Sequence, residues 1–163
     1  GKLTVSLNSA DEIEMSFPNH LPELVSEVPA GLIEGLSIAP KLVLRNRQAY
    51  FAIYENESDI HELTYNSEQL KTLAPFDVVV SAKGELCDFV SRYFWPANGG
   101  DEDPVTGSIH SGLTPYWSNV LGKEKLTAYQ ASRRGGVLKC TLENERVIVA
   151  GKGTLYLKGT IFV

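Results

Sequence analysis

The sequence predicts an α+β fold in which a curved, mostly antiparallel sheet wraps around one central helix. Three features lead to that expectation. About nine or ten short runs have strand character. One long segment carries a wide apolar stripe at helical period, and strand and helix patterns do not alternate regularly along the chain. A chain of 163 residues, 43% hydrophobic and 21% charged, is long enough to bury a core and has the composition of an ordinary globular protein.

In chain order, Leu3, Val5 and Leu7 alternate with polar neighbours, the stretch 8–12 turns, and Ile13, Met15 and Phe17 alternate again, which predicts a β-hairpin. Pro18, Pro22 and Pro29 punctuate a linker holding a short helix over Ala30–Leu36, and Pro40 resets the chain. Leu42–Arg45 and Ala49–Tyr54 form a second hairpin across a polar turn. Ser58 and Ser67 then open two short helical patterns. Phe76–Ala82 contains Val78, Val79 and Val80 without a break, as a strand buried on both faces does, and Leu86–Trp95 is its partner.

The stretch 95–107 is rich in Gly, Pro and acids and reads as a loop. After it, Ile109, Leu113, Tyr116, Trp117, Val120 and Leu121 fall on one helical face, with Thr106 or Ser108 as cap and Gly122 as stop. Pro115 inside this helix deletes the bond to the carbonyl of Ser111. Four further strand runs follow, at Lys125–Ala131, Val137–Leu142, Arg146–Ala150 and Thr154–Val163.

Charge and composition exclude several functions. A net charge of -5 with scattered Lys and Arg lacks the basic footprint of phosphate-backbone binding, so nucleic acid is not an expected partner. Cys87 and Cys140 lie far apart in alternating apolar runs and read as reduced core residues; no His, Cys or carboxylate cluster has metal-ligand spacing, so no metal is expected. The apolar runs fall short of the roughly 20 residues that a bilayer crossing needs, which predicts no membrane partner and a cytoplasmic protein. The chain opens Gly1-Lys2-Leu3, with Met15 as its sole methionine, which predicts that an upstream segment is missing, although a cleaved tag also leaves a Gly.

Chemistry concentrates in Glu102-Asp103-Pro104-Val105-Thr106-Gly107-Ser108. The first amides of a helix have no internal partners and carry partial positive charge, so a Thr-Gly-Ser entry can hold a carboxylate or phosphate, with Gly107 permitting close approach. Asp103 then lies within reach as acid, base or hydrogen-bond partner. The plainer alternative is that Asp103 and Thr106 form an Asx-type turn and cap a structural helix. His110, in the first turn, can bond a ligand or the Asp103 loop. His20 and His61 read as solvated, Asp101 and Glu102 as charge complements of the helix start. Arg133 and Arg134 read as surface arginines, and Trp95 and Trp117 as core anchors.

The runs Asp88-Phe89-Val90-Ser91-Arg92-Tyr93-Phe94-Trp95-Pro96, Glu102 to His110, Leu113-Thr114-Pro115-Tyr116-Trp117 and Gln130-Ala131-Ser132-Arg133-Arg134-Gly135-Gly136 resemble, in order, the signature of the PhzF-like (phenazine biosynthesis) isomerase family. The resemblance implies a diaminopimelate-epimerase-like fold of two halves with the active site between them, this chain being the C-terminal portion. It divides the chain into 1–19, the last hairpin of a missing N-terminal domain; 20–152, the C-terminal domain; and 153–163, a strand returning to the missing half. It further implies a cofactor-independent isomerase or epimerase, in a biosynthetic process, that transfers a proton on a small carboxylated substrate, and a homodimer.

By the same resemblance, Asp103 is catalytic, and Thr106, Gly107, Ser108 and His110 bind substrate. The family's main glutamate accompanies a Gly-Asn-Pro motif that does not occur in this sequence, so the fragment alone is expected to be inactive. Related racemases of this fold carry cysteine where Asp103 stands, which argues against two-thiol chemistry. The competing function is a non-catalytic carboxylate- or anion-binding module.

Overall fold

The computed structural model describes residues 3–161; Gly1, Lys2, Phe162 and Val163, with the parts of the expected terminal features that fall on them, lie outside the described residues. Among the described residues, eleven strands form one mixed sheet. They are β1 (Thr4–Leu7), β2 (Ile13–Pro18), β3 (Glu23–Leu24), β4 (Leu42–Arg45), β5 (Ala49–Ile53), β6 (Asp77–Lys83), β7 (Phe89–Phe94), β8 (Glu102–Asp103), β9 (Lys125–Gln130), β10 (Gly136–Glu143) and β11 (Arg146–Gly151). The helices are α1 (Ala30–Gly35), α2 (Glu57–Glu62), α3 (Ser67–Lys71) and α4 (His110–Leu121). The order across the sheet is β1-β2-β11-β10-β9-β7-β6-β5-β4-β3, with β8 added on β7.

Most neighbours run antiparallel, but β5 and β6 are parallel, as are β7 and β9. Parallel neighbours need a crossover, and the crossovers here are α2 with α3 in the first case and α4 in the second. The expected α+β arrangement, without regular βαβ alternation, therefore contains two parallel crossovers that the sequence pattern did not announce. Because β6 and β7 are antiparallel, the two crossovers step the same way along the sheet from strands of opposite direction. Right-handed connections then place their helices on opposite faces.

Burial follows that layout. Leu32, Leu36, Ile60, Leu63, Leu70 and Leu73, in the three short helices or just after them, pack with Tyr50, Ala52, Val78, Val80 and Phe94 on one face. Ile109, Leu113 and Trp117 of α4 pack with Phe17, Phe51, Val79, Phe89, Leu126, Leu138 and Val147 on the other. The unbroken valine run thus splits by strand parity: Val79 faces α4, and Val78 and Val80 face the short helices.

Local chemistry sets the helix ends, with some departures from expectation. Asn56 and Asn66, not Ser58 and Ser67, precede α2 and α3. The Asn66 Oδ1 accepts from the amides of Glu68 and Gln69, and the Asn56 amide bonds the Asp59 carboxylate. Gly122 closes α4 at φ 65, where a side chain would be strained. Pro115 gives no amide to the Ser111 carbonyl, which instead accepts the His20 amide at 3.0 Å. The linker is thereby tied to α4, and His20 is half-buried rather than solvated.

The opening hairpin forms as expected, and β2 pairs with β11 from Ile13 to Pro18, making it continuous with the sheet. Residues 152–161 form no strand within the chain, and Leu155, Tyr156, Leu157 and Ile161 are exposed. Among the described residues, no helix is long and apolar enough to cross a membrane.

Candidate active site

The acidic loop is more ordered than its composition suggests. After Trp95 the chain makes a 3-10 turn at Pro96–Asn98, and β8 returns to pair with β7, setting Asp103 opposite Tyr93 and Glu102 opposite Phe94. Gly100 lies so close to the half-exposed Trp95 ring that a Cβ there would be 2.0 Å from it, so Trp95 covers this turn rather than anchoring the core. Glu102 does not complement the helix start. It forms a two-pronged ion pair with Arg92, Nε to Oε1 at 2.8 Å and Nη2 to Oε2 at 3.1 Å. The same guanidinium donates to the carbonyls of Ile60 and Leu63 at the end of α2. Asp101, for its part, accepts from the Ser67 hydroxyl.

Gln130, fully buried at the end of β9, closes the loop from within. Its Nε2 donates to the Asp103 carbonyl at 2.7 Å, and its Oε1 accepts the Thr106 amide at 2.8 Å. The Thr106 hydroxyl donates to Asp103 Oδ2 at 2.7 Å. Sequence reasoning missed Gln130, although its signal was present: Leu126, Ala128 and Gln130 share the inward face of an alternating strand, and an inward polar side chain needs partners. Gln130→Met keeps the volume but leaves the buried Thr106 amide and the Asp103 carbonyl unpaired. We expect it to cost about 2–4 kcal/mol in chemical denaturation; a loss within error of zero would contradict this clamp.

Neither expected cap closes α4. The Thr106 hydroxyl is turned to Asp103, the Ser108 hydroxyl accepts from Gln48 Nε2 at 3.0 Å, and the N-cap position is Ile109. The amides of Gly107, Ser108 and Ile109 consequently have no acceptor among the described residues, three adjacent donors at the positive end of a 12-residue helix. A Cβ on Gly107 would lie 2.8 Å from Met15 Cε, so β2 itself makes a close approach to this backbone.

Two clefts flank the loop. One, of ≈ 890 Å³, is bordered by Met15, Val105, Gly107, Arg134 and Lys152. The other, of ≈ 500 Å³, is bordered by Tyr65, Glu102, Pro104, Arg133 and Arg134. The candidate site belongs to the first, because only it reaches the turn with the unpaired amides. Of this loop only Val105 and Gly107 border the cleft; Asp103 and Ser108 are half-buried beside the turn and, like Thr106, Ile109 and His110, do not line it.

His110 is fully buried. Its Nδ1 lies 2.7 Å from the Thr106 carbonyl, which requires a proton on that nitrogen, and Nε2 has no partner among the described residues. The ring therefore holds the loop from the core side, against Phe89. Burial pushes its pKa down from the ordinary 6.5 to about 4, against the Thr106 bond, which raises it. Between these values the unfolded chain binds a proton that the folded chain refuses. The stability contribution is thus complete above pH 6.5 and is lost as pH falls toward about 4. We expect a loss on the order of 3 kcal/mol across that window. His20 is shifted the same way, by burial and then by Arg47. His110→Gln should flatten the acid limb of a denaturation series, and an unchanged limb would contradict the assignment.

The cysteines stand apart from the loop. Cys140 is buried and pushed up to about 12 by that burial; Cys87, only half-buried, is raised by burial and by Glu57. Both are thiols rather than nucleophilic thiolates at neutral pH.

The arrangement therefore sets three unpaired backbone donors, a serine hydroxyl and one carboxylate along one turn, of which Gly107 borders the cleft. Comparison with known proteins gives this geometry a context. A family model described as phenazine biosynthesis-like protein, PhzC-PhzF, matches residues 4–159. A Pseudomonas aeruginosa protein named as an uncharacterized isomerase is 42% identical over 161 residues, covering 99% of this chain and 61% of that protein. One of the same description from Halalkalibacterium halodurans is 39% identical over 165 residues, covering 100% and 62%. The crystal structure of a phenazine biosynthesis PhzF-family protein from Enterococcus faecalis superposes with a TM-score of 0.89 at 34% identity, again over 100% of this chain and 62% of the other. The chain thus spans 61–62% of the length of these relatives. Nothing in the matches marks it as a C-terminal portion alone or as an inactive fragment.

Proposed function

Since the chain belongs to the phenazine biosynthesis-like, PhzC-PhzF family, we propose that it serves a cofactor-independent isomerase or epimerase that moves a proton on a small carboxylated metabolite. The observation that carries this reading is the run of three unpaired amides at Gly107, Ser108 and Ile109 beside the Asp103 carboxylate. The amides and the Ser108 hydroxyl hold the substrate carboxylate and stabilise the negative charge that grows on it as the neighbouring carbon loses its proton. Asp103, oriented by Thr106, relays that proton. Thr106 and His110 shape the turn, and a glutamate contributed from outside this chain carries the main abstraction and return. The names of the bacterial relatives, which call them isomerases, support the reaction class.

The same proposal makes this chain one half of a diaminopimelate-epimerase-like pair, with the sheet curving around α4. Support comes from the α4 side chains, which share one buried cluster with residues of β2, β5, β7, β9, β10 and β11. The division into 1–19, 20–152 and 153–163 and assembly as a homodimer are parts of that reading.

Incubation of this chain joined to the segment that supplies that glutamate, in heavy water with a panel of small carboxylic acids, tests it. Deuterium entering the carbon next to a carboxylate, detected by mass spectrometry or proton NMR, is the expected result. Binding of carboxylates without exchange would favour the non-catalytic anion-binding module, for which the same three amides suffice.

A further inference from the structure

Ser108 is connected to a set of partly buried polar groups that the sequence reading did not single out. The Tyr93 hydroxyl bonds Asp77 Oδ2. A carboxylate only accepts, so the phenol donates. Tyr93 is 4% exposed, and burial, followed by the bond to Asp77, raises its pKa well above the ordinary tyrosine value, so the phenol keeps that proton.

With its hydrogen committed, the Tyr93 oxygen can only accept. The atom at 3.0 Å from it must therefore be the Gln48 amide nitrogen, which fixes the orientation of that side chain. The same Nε2 lies 3.0 Å from Ser108 Oγ. An amide NH2 has two hydrogens, one for each oxygen, so Ser108 is also an acceptor. Its single hydroxyl proton is left without an acceptor among the described residues, next to the three unpaired amides.

The backbone around Gln48 is held firmly. Asn46 Oδ1 accepts the amides of Gln48 and Ala49 at 2.8 and 3.1 Å, and the Gln48 carbonyl accepts the Asp77 amide at 3.1 Å. Asn98 Nδ2 donates to the other Asp77 oxygen at 2.7 Å. Each link thus has one permitted direction, and a chain of aligned bonds strengthens its members.

We propose that Asp77, Tyr93 and Gln48 form a one-way hydrogen-bond relay that keeps the Ser108 hydroxyl proton pointed at a bound anion, which makes Gln48 and Tyr93 positioning residues of the site. The inference rests on the anion-binding reading of the α4 entrance given above.

Titrating inorganic phosphate into the 15N-labelled protein and following the amide signals of Gly107, Ser108 and Ile109 tests both. The wild type shows a saturable shift, and Ser108→Ala weakens binding about tenfold, the size expected for one hydrogen bond to a charged group. Gln48→Glu has the same size but accepts where Gln48 donates. It draws the Ser108 proton away from the anion and weakens binding to a similar degree.

The deciding variant combines Gln48→Glu with Ser108→Ala. If the relay acts through Ser108, the double variant binds no more weakly than Ser108→Ala alone. An equal loss from Gln48→Glu in both backgrounds means simple charge repulsion and overturns the relay, as does unaltered binding by Gln48→Glu. Should the glutamate variant fail to fold, Gln48→Met removes the donor without adding charge. It is then expected to weaken binding a few-fold in the wild type and not at all in Ser108→Ala, and equal losses in both again overturn the relay. No shift in the wild type overturns the anion site together with the relay, whereas binding with additive losses overturns the relay alone.

Discussion

Asp103→Asn is expected to lower proton exchange on the substrate by about 10²–10⁴-fold while leaving the fold unchanged. The substitution is close to a pure removal of charge and basicity. The Asn side-chain carbonyl still accepts the Thr106 hydroxyl, and the backbone carbonyl at 103 still accepts from Gln130. A helix start able to bind a carboxylate therefore persists, so binding of the substrate should change far less than turnover. Deuterium incorporation measured at saturating substrate separates the two effects. An exchange rate equal to that of the wild type would remove Asp103 from the mechanism.

Phe51→Ala has the largest expected effect on stability, about 3–5 kcal/mol in chemical denaturation. Phe51 is fully buried on β5 and meets α4 at Gly112. A Cβ on Gly112 would be 2.5 Å from Phe51 Cζ. Truncating the ring removes the floor beneath Gly112, two residues beyond His110, and neighbours on a well-packed sheet cannot collapse to refill that volume. A cost below about 1 kcal/mol would show that this face tolerates a void. The opposite change, Gly112→Ala, forces a methyl group into the ring and should also destabilise.

Much of the fold is legible in local pattern. Val78, Val79 and Val80 announce a strand covered on both faces, and the spacing of Ile109, Leu113 and Trp117 announces the buried side of α4. The stripe overreaches at its end, where Val120 is exposed. Conversely, Ser111, Thr114 and Ser118 are buried although they lie off it. The first two turns of α4 are enclosed nearly all round, which a one-sided periodicity cannot express. The two-residue β8 escapes notice because so short a strand has no period of its own; pairing with β7 alone creates it.

At the site, the segment from Asp103 to Ser108 stands out because acid, Pro, Gly and hydroxyl residues meet a helix start within a few positions. The groups that orient it do not, because they come from distant turns and strands: Gln48 is 60 residues from Ser108, and Gln130 is 24 from Thr106. Short-range patterns identify which residues can carry chemistry. They do not say which hydrogen bonds those residues make.

The sequence by itself determined most of the strand and helix segments, the apolar faces to be buried, the place of the acidic turn before α4 and, through its ordered signatures, the family. Only the tertiary structure decided the two parallel crossovers, the placing of helices on opposite faces, the burial of His110 and the partners that leave the Gly107, Ser108 and Ile109 amides unpaired. The physical reason is range. Backbone preference and hydrophobic period act over a few residues, whereas each buried polar group must find its partner wherever the folded chain provides one.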